Sequence, residues 1–147
     1  MTVFRTDIER ALDELISNEE GMKFQGLGVI LAKQRWPELI ACERKWDRGL
    51  DAHAPATLST DGTGKGLACS LTATLENIEA DAKKSQQNFD DVKVLIFATP
   101  ESVTNHTAKG WAHEIRKKFG YQLVVMPRED MITSLCFLQM HRFVDQF

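Results

Sequence analysis

Asp51 stands in the stretch GLDAHA (49–54), two residues before His53. Successive side chains of a strand alternate sides, so the two share a face. A carboxylate beside an imidazole suits cation ligation or proton transfer. Both residue types also have bland uses: an acid near a turn accepts from backbone amides, and a single histidine packs at a half-exposed surface. Cys69 and Ser70 are nucleophile types, but no histidine and aspartate stand at a matching spacing, so acyl transfer is not supported. DGTGKG (61–66) is similar to a phosphate loop. It fails that pattern because Ser59 holds the first glycine's place and no Ser or Thr follows Lys65. A strand, not a helix, also follows it. The stretch reads as a hairpin tip that offers Lys65 to a nucleic-acid backbone.

Two further stretches carry charge. CERKWDR (42–48) sets Arg44, Lys45 and Arg48 around Trp46. Cations interleaved with an aromatic can hold phosphates and stack on bases; a polar strand edge with one packed tryptophan is the plainer reading. ENIEADAKK (76–84) is either a solvated helix face or a source of acids and lysines for a neighbouring site.

The elements that must position these groups follow from periodicity. Ile8, Ala11, Leu12 and Leu15 predict a helix over 3–16, and Phe24, Leu27, Ile30 and Leu31 a second from Met22 to about Arg35. Trp36-Pro37 ends it. Strands are predicted at 39–46, 50–54 and 67–74. A helix marked by Leu75, Ile78, Ala82 and Phe89 follows, then an apolar strand at 92–98 of the kind covered on both sides. The helix at 104–119 has a cap at Thr104 or Asn105, a stripe of Ala108, Trp111, Ala112, Ile115 and Phe119, and a stop at Gly120. A strand at 121–126 and a helix from Arg128 complete the chain. The order predicts an α/β fold: a mixed sheet in which an antiparallel meander is followed by β-α-β, flanked by helices.

At 147 residues the chain is long enough for one core and is expected to be a single domain, 1–147. It is 43% hydrophobic, yet no apolar run approaches the ~20 residues of a membrane span, so no membrane is expected as partner. Three scattered cysteines predict a reducing, cytoplasmic setting without disulfides or zinc. The net charge of −3 counts against unassisted DNA binding but leaves room for a local basic patch. The tail FLQMHRFVDQF is strongly apolar. It predicts a homodimer, or contact with further domains of a longer protein, through the C-terminal helix.

This order of elements, with GLDAHA, the glycine-bearing hairpin, ENIEADAKKSQQNFDDVKVLIFATPESVT and VVMPREDMITSL, resembles the restriction-endonuclease-like, or PD-(D/E)XK, nuclease superfamily over roughly residues 5–138. In particular it resembles modules of type IV restriction enzymes and of the N-terminal regions of larger bacterial defence proteins. The resemblance implies a site where a helix acid, an aspartate and a (D/E)xK pair converge. By position these are Glu20 (or Glu19), Asp51, and the pair Ser70 and Thr72, with Asp51 the metal ligand. The acid and lysine of the pair are therefore hydroxyls here, neutral and poor ligands for Mg²⁺. The following helix offers Glu76, Glu79, Asp81, Lys83 and Lys84 to replace them, with Lys83 or Glu79 preferred.

The expectation is thus a degenerate, catalytically impaired nuclease-like domain. It would act in nucleic-acid recognition or assembly within a larger defence or signalling protein and need no cofactor. The alternatives are an active Mg²⁺-dependent nuclease with rearranged residues and a structural dimerisation module.

Overall fold

The computed structural model describes residues 5–42 and 49–145, with 138–145 described by backbone alone. Five helices and five strands follow in the order α1 (Arg5–Ser17), α2 (Gly21–Arg35), β1 (Ile40–Ala41), β2 (Ala52–Ala54), β3 (Gly64–Cys69), α3 (Leu75–Asn88), β4 (Val92–Ala98), α4 (Asn105–Phe119), β5 (Gln122–Met126) and α5 (Arg128–Asp145). The sheet runs β1-β2-β3-β4-β5. β1/β2 and β2/β3 are antiparallel, and β3/β4 and β4/β5 parallel. The meander followed by β-α-β is therefore as the hydrophobic pattern predicts.

Alternation along β4 divides the core in two. Ile96 and Ala98, with Leu67 of β3, face a layer of Leu12, Phe24, Leu31 and Met131, drawn from α1, α2 and α5. Leu95 and Phe97 face Ile78, Ala82 and Ile115, drawn from α3 and α4, and Tyr121, just before β5. Each Leu, Ile, Phe or Met among these, removed from water, contributes about 1.5–3 kcal/mol. The helix ends obey local rules. The Thr74 and Thr104 hydroxyls accept from the Asn77 and Thr107 amides, and Gly120 closes α4 in the left-handed conformation.

Two predicted strands are placed differently. The third is shifted from 67–74 to Gly64–Cys69. It lies between β2 and β4, so its ladder starts within the glycine-rich stretch, Gly64 opposite Val92. It ends where the Ser70 hydroxyl donates to the Thr72 carbonyl and accepts from the Thr72 amide, turning the chain toward the α3 cap. The first strand is described only at Ile40–Ala41, and 43–48 lie outside the described residues.

Candidate functional site

Asp51 enters the sheet one residue before β2. Its amide donates to the Leu67 carbonyl at 2.7 Å and its carbonyl accepts from the Cys42 amide at 2.9 Å. The approach depends on Gly49. Its φ of +82° lies in the left-handed region, and a Cβ there would stand 2.6 Å from Lys84 Cβ and 2.7 Å from the Asp81 carbonyl oxygen. The turn before Asp51 is therefore pressed against α3 with no room for a side chain.

Asp51 Oδ2 accepts from the Cys69 amide at 2.7 Å. Burial raises the Asp51 carboxyl above the usual aspartate range, and the amide and thiol of Cys69 oppose that rise. The Cys69 thiol is itself pushed well up by burial and by the Asp51 charge. Such a thiol stays protonated and is no nucleophile. Its Sγ lies 4.0 Å from the Gln25 carbonyl, where the absent side chain of Gly28 leaves space on α2.

Facing this group from α3 is Asp81. Burial first, and the Asp51 charge second, raise its carboxyl to about 7, with Lys84 opposing. Two acids from different elements thus feel each other's charge in a poorly solvated place, and a strongly perturbed carboxyl beside another acid marks a candidate functional site. Sequence reasoning counts Asp81 among the charged groups this helix offers but prefers Glu79 and Lys83. The available signal was its spacing: Asp81 stands three residues after Ile78 and beside Ala82, both fully buried.

Glu19, Glu20, Gln25, Cys69, Ser70 and Thr72 border a hollow of about 670 Å³ between the start of α2 and the end of β3. Met22 and Gln25 separate it from a smaller one, about 210 Å³, that Asp51 borders with Cys42. The structure therefore brings Glu20, Ser70 and Thr72 to one hollow and Asp51 to its neighbour. Glu20 pairs with Lys23 at 3.1 Å. It follows Glu19, whose φ of +52° closes α1 with bonds from Glu19 N to Ile16 O and Glu20 N to Leu15 O. That is a Schellman end with glutamate where glycine is usual.

Several expectations need correction. Ser70 and Thr72 do not project from one face of a strand, because the strand has ended and both lie in the turn. Lys83 is exposed on α3 and borders neither hollow, and Glu79 is held by Lys118 of α4 at 2.7 Å. Lys65 is not a free cation at a hairpin tip. It is 6% exposed within β3, and its ammonium meets Glu38 at 3.3 Å and Asp61 at 3.1 Å. A buried, doubly paired ammonium is not offered to a phosphate. His53 contacts Asp91 at 3.0 Å and packs its ring on Phe89. Burial opposes ionisation of Asp91, but the Ala56 amide and His53 hold its carboxyl below the usual range. Arg44, Lys45 and Arg48 lie outside the described residues.

Among the described residues no group of three or more His, Cys, Asp and Glu side chains is arranged to hold a metal ion. No helix among them is long and apolar enough to cross a membrane. Comparison with protein-family models, with curated protein sequences and with solved structures finds no match for this chain.

Proposed function

We propose that the chain is a restriction-endonuclease-like domain whose cutting chemistry is impaired, and that it serves in nucleic-acid recognition or assembly within a larger defence or signalling protein. The observation that carries this reading is the state of positions 70 and 72. A hydrolytic site of this kind needs a carboxylate for the cation and a lysine for the developing phosphate charge. Ser70 and Thr72 supply neutral groups, and the Ser70 hydroxyl is engaged with the Thr72 backbone. Asp51 is left with one oxygen committed to a strand amide. Assembly is favoured by α5, where Phe137 remains 59% exposed. The test is incubation of the purified chain with plasmid, single-stranded DNA and RNA in Mg²⁺ or Mn²⁺. No cleavage is expected; cutting that disappears in Asp51→Ala would overturn the proposal.

A second reading, an active Mg²⁺-dependent nuclease with rearranged groups, is favoured by Asp81 alone. Asp51 and Asp81 are hard oxygen donors of the kind Mg²⁺ takes, and the ion would there polarise a phosphate and its attacking water. Under this reading Asp81→Asn abolishes cutting while Lys83→Ala leaves it intact.

A further inference from the structure

The two edges of the sheet are unlike. Among the described residues β1 spans two residues, the sort of short edge that resists pairing with another strand. β5, at the other edge, is five residues long, QLVVM, with no charge or proline. Those are the devices by which proteins blunt an exposed edge. Among the described residues no strand pairs with its outer side.

The ladder tells which groups that side presents. The Thr99 amide donates to the Met126 carbonyl, so Met126 faces β4. Amide and carbonyl of one strand residue point the same way, and direction alternates along the strand. Val124 and Gln122 therefore also face β4, and Leu123 and Val125 turn their backbone groups outward. Val124 and Val125 are only half-buried, so apolar surface lies beside those open groups.

We propose that the outer edge of β5 is where a second copy of this chain adds its own β5, antiparallel, across a two-fold axis at Val124. A strand edge specifies an extended backbone as its partner, and its own sequence satisfies the register. Leu123 of each copy falls opposite Val125 of the other, and each such pair exchanges two hydrogen bonds. The axis makes the contact isologous and closed, so it ends at a dimer. Charge agrees with this choice. Arg116, Lys117 and Lys118 close α4 just before β5, and Glu129 and Asp130 open α5 just after it. Antiparallel pairing brings the basic end of one strand toward the acidic end of the other, and nothing charged meets at the centre. The inference goes beyond the nuclease-like reading and does not depend on it.

The test is light scattering of the intact chain over a range of concentrations, which is expected to show a monomer–dimer equilibrium. Val125→Pro removes only an outward amide, a position where an edge strand tolerates proline; it is expected to be monomeric with an unchanged circular dichroism spectrum. Val124→Lys sets two ammonium groups together at the axis and is expected to weaken the dimer at least tenfold at low salt. Hydrogen exchange on the unaltered chain keeps the proposal open to refutation should either variant fail to fold. The Leu123 and Val125 amides are expected to be protected in concentrated solution and to exchange on dilution, with the Val124 amide protected throughout. A monomer at every concentration overturns the proposal. So does a dimer that survives Val124→Lys with the Leu123 and Val125 amides exchanging freely.

Discussion

At the scale of single residues, Asp81 and Glu19 are the two that stand against their surroundings. Asp81 holds its proton up to about 7, whereas the ordinary aspartate value of 3.8 applies once the chain unfolds. Between those values the folded chain binds the proton and the unfolded chain does not. Asp81 therefore weakens the fold progressively as pH rises from about 4 to 7, and the loss is complete above that window. Asp81→Asn is expected to raise unfolding free energy by about 2 kcal/mol at pH 8, below the full conversion of the shift because the side chain keeps some solvent, and by only about 0.5 kcal/mol at pH 4.5. Urea unfolding at the two pH values checks this; an equal gain at both would show that charge is not the cause. Glu19 pays for its left-handed φ in backbone strain. Glu19→Gly is expected to stabilise the chain by about 1 kcal/mol, read as a higher urea midpoint with an unchanged slope.

At the scale of elements, the docking of the 49–51 turn on α3 decides where Asp51 sits. Gly49→Ala meets both a strained φ and the Asp81 carbonyl, and about 3 kcal/mol of destabilisation is expected. Gly62 has a similar φ of +72° but open space around it, so Gly62→Ala is expected to cost only about 1 kcal/mol. The difference between the two, measured by thermal unfolding, isolates the close approach. Equal costs would mean that α3 does not press on the turn. Lys65 makes a similar point. An ammonium that reads as a surface charge becomes a buried tie between Glu38, Asp61 and the Thr63 carbonyl once β3 is the middle strand.

At the scale of the whole molecule, a net charge of −3 opposes a polyanion, so any nucleic-acid binding must come from a local patch. Recognition through Arg44 and Lys45 predicts that DNA retention falls steeply with salt. Replacing both by alanine is then expected to flatten the plot of log affinity against log salt by about 2. Filter binding between low and moderate salt measures this. Retention with no salt dependence would exclude phosphate contacts and leave assembly as the role.

The alternating and 3.6-residue patterns sufficed for the element order, for β4 at Val92–Ala98, for the Thr104 cap and the Gly120 stop, and for the parallel pairing of the last strands. Those features depend on neighbours along the chain and on which face is apolar. The partners of Asp51 were beyond such reasoning. Helix spacing placed Asp81 beside a buried stripe, but only the packing of α3 on the 49–51 turn brought it to Asp51. Likewise only the strand order put Lys65 inside the sheet. The charge and solvation of a group depend on atoms far away in sequence, and those are set when the layers close over one another.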